Sequence, residues 1–181
     1  MRIVSKIVHA AIAEVEELNK TEQILIYEAM RVRKNAQAPY SHFLVGAAVE
    51  SSSGEIYKGC NVERASYNQT THAEQNAIDS MVAKEGSAKI RRIAIVGGSA
   101  DLALSWPIEQ KDDKVSEVGQ VLVPCGHCLQ IIWENCHNDP EVELIGLCHT
   151  GEIAKVRIAD AFPMRFGPAN LGINYNEPTT K

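Results

Sequence analysis

The sequence predicts an α/β sandwich, a mixed sheet of about five strands covered by helices. Three observations in the 181-residue chain predict it. Apolar residues recur at helical spacing near the N-terminus. Two β-rich runs flank the turn sequence SSSG. Beyond them, short apolar runs of the buried-strand type alternate with helix-like stretches.

In chain order, residues 1–36 form a predicted helical region. Ile7, Ala11 and Val15 share a face of a first helix, and Ile24, Ala29 and Val32 share one of a second. The NKT stretch, Asn19 to Thr21, separates the two, with Asn19 or Thr21 as a cap. Pro39 ends the helical part. The run FLVGAAVESSSGEIYKGCNVE predicts a hairpin in which Gly54 supplies a positive φ. Thr71 is expected to cap a helix running to about Glu85, with Gly86 as its stop. RRIAIVGG predicts a buried strand. Residues 99–120 are polar, contain Pro107 and EQKDDK, and read as an insertion forming a surface excursion. VLVPCGHCLQIIWENCH predicts a strand feeding a helix at Pro124. EVELIGLCHT and IAKVRIAD predict two further strands around a turn at Gly151, and the tail from Phe162 is expected to be irregular. The length suits a single domain over 1–181 with one sizeable core.

Composition narrows the function. A net charge of -5 argues against a polyanionic partner such as nucleic acid, which calls for clustered Lys and Arg. The densest basic run, Arg31 to Lys34, reads as the solvated end of a helix. No apolar run approaches the roughly 20 residues that span a bilayer. The apolar start is interrupted by Lys6 and His9 and followed by Glu14, Glu16 and Glu17, so it reads as a helix and not a signal peptide. A cytoplasmic protein is expected. The five cysteines, an odd number, favour reduced thiols or a metal site over a disulfide framework.

The chemistry concentrates in two short motifs. In PCGHC, Cys125 and Cys128 stand at C-x-x-C spacing at a strand-to-helix junction, where free backbone N–H groups favour thiolates. Alone, this pair is either a thioredoxin-like redox couple or half of a metal site. In THAEQ, His72 falls at a helix start and Glu74 follows two residues later. A redox couple has no use for either, whereas zinc accepts one imidazole and two thiolates and keeps a fourth position for water. A structural site would instead close with a fourth ligand, for which Cys148 and His149 are candidates, although their placement late in a strand favours a core or surface role; His127, inside the C-x-x-C turn, is expected to point away. Glu74, aimed near an open position, suits general acid–base work. H-x-E combined with P-C-x-x-C is the pattern of zinc deaminases, and His72, Glu74, Pro124, Cys125 and Cys128 match all of it.

At this point the chain resembles the cytidine deaminase family that acts on free nucleosides. The resemblance runs through PYSHFLVGAAV (Pro39 to Val49), GCNVERASY (Gly59 to Tyr67), HAEQNAI and PCGHCLQ, and resumes at RFGPANL (Arg165 to Leu171). It implies a three-layer α/β/α sandwich and one Zn2+ per chain on His72, Cys125 and Cys128, with Glu74 as the proton shuttle. It also implies that Asn61 and Glu63 hydrogen-bond the ribose hydroxyls, that Phe43 packs on the nucleobase, and that Ala73 offers it a backbone contact. Phe166 matches a C-terminal ring that closes the pocket, often from a neighbouring subunit, and Tyr67 an interface residue. The implied reaction is hydrolytic deamination of cytidine or deoxycytidine to uridine or deoxyuridine plus ammonia. The implied assembly is a homodimer or homotetramer. A modified cytidine or other amino-heterocycle nucleoside is the alternative substrate, and a non-catalytic zinc- or nucleoside-binding module the alternative of another class. Two departures stand out. Leu129 occupies the position where the family commonly has Arg after the second cysteine, and Leu44 gives FLVG where FPVG is usual. The insertion near 99–120 and the N-terminal region are longer than short family members carry.

Overall fold

A computed structural model describes residues 1–109 and 111–175. Six strands form one sheet: β1 (Ala11–Ala13), β2 (Phe43–Ser51), β3 (Ile56–Cys60), β4 (Ile90–Ser99), β5 (Glu143–Leu147) and β6 (Ile153–Arg157). Among the described residues four α-helices accompany them: α1 (Lys20–Arg33), α2 (Ala73–Glu85), α3 (Gly126–Glu134) and the single turn α4 (Ile158–Ala161). The strand order is β1-β6-β5-β4-β2-β3, and only β4 and β5 run parallel.

The two sheet faces follow from strand alternation. Ala47, Val49, Ile93 and Ile95 pack with Ala77, Ile78 and Met81 of α2 and with Ile132 of α3. Their neighbours Ala48, Ala94 and Val96 pack with Leu25, Ile26 and Ala29 of α1. One face thus carries α1 and the other α2 and α3, the expected three layers. The parallel step from β4 to β5 requires a crossover, and α3 lies within it.

Most predicted elements are present. Asn19 caps α1: its side chain accepts a hydrogen bond from Glu22 N at 3.1 Å, and Glu22 reciprocates to Asn19 N. The β2–β3 hairpin turns at Gly54 with φ 91°, and Gly86 ends α2 with φ 76°. Three expectations are corrected. Residues 1–18 form no α-helix; Ala11–Ala13 pairs antiparallel with β6, because the exposed edge of β6 offers backbone partners that a three-position periodicity cannot outweigh. This pairing brings the sheet to six strands. Residues 121–123 form no strand. Both edges of β5 are occupied by β4 and β6, and the segment instead crosses β5, with the Leu122 carbonyl 2.4 Å from where a Cβ on Gly146 would stand. Thr71 is not the cap of α2, as the site geometry below explains. The described residues of 99–120 hold one 3₁₀ turn, Val118–Gln120, and those of the tail another, Pro168–Leu171. The tail beyond 175, also expected to be irregular, lies outside the described residues.

Candidate metal centre and substrate cavity

Thr71 and Val62 exchange backbone hydrogen bonds of 3.0 and 2.9 Å in an isolated antiparallel bridge. That bridge holds the chain extended one residue longer than expected. His72 therefore becomes the N-cap of α2, with φ -77° and ψ 155°. Its carbonyl accepts from Asn76 N at 2.9 Å while its imidazole makes no capping bond and stays available. Cys125 holds the same position at α3 and also lacks a side-chain cap bond. Two helix N-termini thus converge, and each dipole favours the anionic form of a ligand placed there.

His72 Nδ1 lies 3.5 Å from Cys125 Sγ and 3.3 Å from Cys128 Sγ. All three donor atoms fall within 4.8 Å of one another, and no fourth His, Cys, Asp or Glu donor joins the group among the described residues. Tetrahedral zinc, with Zn–N near 2.0 Å and Zn–S near 2.3 Å, requires N···S separations of about 3.5 Å. Both N···S separations match that ion. Burial drives the Cys128 thiol pKa strongly upward, reinforced by the nearby charges of Glu74 and Cys125. A buried cation reverses this balance, since its charge stabilises the thiolate that burial alone disfavours.

Glu74, 6% exposed, stands in the first turn of α2. With His72, Ala73 and Cys125 it lines a cavity of about 360 Å³. Phe43, Asn61 and Glu63 line the same cavity, so these seven sequence-predicted residues share one wall system. Cys128 lies deeper, at 0% exposure. Asn61 and Glu63 flank the bridge residue Val62 just beyond β3, on one side of the chain. The Asn61 amide is braced on β2: Oδ1 accepts from Val45 N at 2.8 Å and Nδ2 donates to Phe43 O at 2.9 Å. Glu63 accepts from Tyr40 N at 2.9 Å, Ser41 N at 3.3 Å and the Ser41 hydroxyl. These bonds, the hydroxyl first, hold its carboxyl below the usual glutamate range. Ser41 is a brace that no motif marks; its only signal in the sequence is a hydroxyl two residues before Phe43 in PYSHF.

Phe166 is not brought to this cavity. It is 58% exposed, its carbonyl accepts from Gln130 Nε2, and the chain around it packs on Trp133 through Arg165 and Gly167. His127 is exposed and lies 3.4 Å from Gln75 Oε1, outside the donor set, as expected. Cys148 and His149 also lie outside the set, at the end of β5. Leu129 is buried in the apolar cluster under α3, so the position carries core packing here.

A mixed sheet that presents a His-Cys-Cys donor set at two helix N-termini, open toward a cavity, defines an α/β protein with a mononuclear zinc centre. Residues 19–139 match the family model described as the cytidine and deoxycytidylate deaminase zinc-binding region. The chain is 33% identical over 147 residues to cytidine deaminase from Sporosarcina psychrophila, covering 81% of this chain and 92% of that one. It is 34% identical over 144 residues to the Halalkalibacterium halodurans cytidine deaminase, covering 80% and 92%. Among solved structures it resembles cytidine deaminase from Burkholderia pseudomallei, with a TM-score of 0.60 at 30% identity over 79% of this chain and 97% of that one. The chain belongs to the cytidine and deoxycytidylate deaminase zinc-binding family.

Proposed function

We propose that this protein catalyses the zinc-dependent hydrolytic deamination of cytidine and deoxycytidine, yielding uridine or deoxyuridine and ammonia. The observation that carries the reading is Glu74, a buried carboxylate in the cavity wall two residues from a zinc donor. His72, Cys125 and Cys128 would hold the metal, which when bound supplies an acidified water as nucleophile. Glu74 takes the proton of that water and passes it to N3 of the pyrimidine. It then takes the remaining proton of the hydroxyl added at C4 and delivers it to the amino group, which departs as ammonia as the C4–N bond breaks. Phe43 packs on the base, and the Ala73 backbone contacts its edge. Asn61 and Glu63 bind the sugar hydroxyls. A carboxylate accepts about four hydrogen bonds, so the three already made leave Glu63 capacity for a hydroxyl. Their braces fix both side chains before substrate arrives, which lowers the ordering cost of binding.

Phe166, remote from its own cavity, closes that of a neighbouring copy, so the active form is a homodimer or homotetramer. The chain acts as one unit over 1–181, with 99–120 as an insertion, in the cytoplasm. No helix among the described residues is long and apolar enough to cross a membrane. A binding module without turnover is disfavoured because Glu74 adds little to metal retention yet carries a burial cost. The test is ammonia release from cytidine by the zinc-loaded protein, with zinc content measured in parallel. One zinc per chain and uridine formation are expected. A fully zinc-loaded protein inert toward cytidine and deoxycytidine would sink the reading.

A further inference from the structure

A second cavity, of about 480 Å³, adjoins the first and shares Phe43, Gly97 and Leu122 with it. Its other walls come from the insertion, through Leu102, Leu104 and Ile108, and from the end of β5. The insertion is fastened at both flanks. Arg33, the buried last residue of α1, donates to Ser99 O at 2.6 Å, while Lys111 N donates to Thr150 O at 2.9 Å and Val115 N to Glu152 Oε2 at 2.6 Å. Two glycines make room at the junction. A Cβ on Gly97 would stand 3.1 Å from the Phe43 ring, and one on Gly98 would stand 2.6 Å from Leu102 Cδ2.

The position of the junction identifies which part of a nucleoside faces it. This inference rests on the deaminase reading. There the sugar lies at Asn61 and Glu63, and C4 of the base faces the donor set. The exocyclic nitrogen on C4 then lies beside the chain segment that runs from Leu122 to Cys125. Leu122 is also a wall of the second cavity, whereas Asn61 and Glu63 are not. A group attached to that nitrogen can therefore pass Leu122 and Gly97 into the space beyond. The walls there are mainly aliphatic, with charged side chains such as Lys111 and Glu109 exposed. We propose that this second cavity receives an uncharged, largely apolar acyl or aryl group on the exocyclic nitrogen, so that the protein also hydrolyses N4-substituted cytidines. In that step water adds its oxygen to C4 and the C4–N4 bond breaks. One water proton ends on N3 of the uridine and the other on the departing nitrogen, which leaves as a neutral amide or amine, without oxidant or co-reactant.

The experiment compares cytidine, N4-benzoylcytidine and 5-benzylcytidine on the zinc-loaded protein, by product formation and by calorimetric binding to the Glu74→Gln variant. Uridine plus benzamide from the N4 compound is expected, with measurable binding to that variant. Ala103→Trp and, independently, Ser105→Trp fill the second cavity from exposed positions. Each should leave kcat/KM for cytidine within about twofold while lowering that for N4-benzoylcytidine roughly tenfold or more, the scale of a lost apolar subsite. Turnover of cytidine with neither binding nor hydrolysis of the N4 compound overturns the subsite and leaves the deaminase reading standing. So does preference for the 5-substituted compound, or an equal loss on both substrates in both Trp variants. Inertness toward all three overturns both.

Discussion

Glu74 and the donors around it are separable by single substitutions because they do different work. Glu74→Gln keeps the shape and hydrogen-bonding reach of the side chain but cannot shuttle a proton. Turnover should fall by roughly 10²- to 10⁴-fold, while elemental analysis still finds one zinc per chain. Retained activity would remove Glu74 from the mechanism. Cys128→Ala should lose the metal itself, and the thermal midpoint with it, because zinc binding is coupled to folding. Ser41→Ala should raise the Glu63 pKa toward the ordinary glutamate value and raise KM for cytidine more than it lowers kcat, since Ser41 supplies the leading hydrogen bond to that carboxylate. An unchanged KM would show that Glu63 does not hold the sugar. At this scale the sequence was most informative. His72, Cys125 and Cys128 were legible because metal-ligand spacing leaves a local pattern. Phe166 was legible only by likeness, and its distance from its own cavity was not, because that depends on how the tail packs against Trp133.

At the scale of elements, the site depends on where α2 begins and how closely it lies on β3. A Cβ at Gly59 would stand 2.4 Å from Ala77 N and 2.5 Å from Ala73 O, so only glycine permits this approach. Gly59→Val should push α2 off the sheet, weakening zinc retention and lowering the thermal midpoint together. A variant with normal zinc affinity would show that α2 tolerates the shift. Asn19→Ala removes the α1 cap, whose loss typically costs about 1 kcal/mol; urea unfolding would measure it, with cytidine turnover unaffected because α1 lies on the opposite sheet face. Helix ends were readable here where a local signal marks them, as Asn19 does at the start of α1 and Gly86 at the end of α2. The N-terminal strand and the unpaired 121–123 segment were not. Whether an apolar run pairs depends on which sheet edge is vacant, and that is a property of other segments.

At the scale of the whole molecule, long-range ion pairs couple stability to pH. Lys155 on β6 reaches Glu22 on α1 at 2.6 Å. Burial works against both charges, yet their mutual hydrogen bond and attraction leave the Glu22 pKa lowered and the Lys155 pKa raised. The Glu22 contribution is therefore present above the ordinary glutamate pKa of 4.5 and lost as pH falls through its lower folded value. The Lys155 contribution is present below 10.5 and lost as pH rises through its higher folded value. Denaturation curves across pH should show a plateau between these limits, and Glu22→Gln should flatten the acid side. An acid limb of equal slope in that variant would place the coupling elsewhere.

The sequence by itself determined the chemistry and the layers: a zinc donor set with its acid–base partner, and strands and helices in alternating order. Such information is local, carried by spacing of a few residues and by periodicity. Tertiary structure decided the rest. It set the six-strand count, the release of His72 from helix capping, the bracing of Asn61 and Glu63, and the second cavity beside the first. Each of these arises where segments far apart in the chain compete for the same edge, donor or space, and no single segment encodes the outcome of that competition.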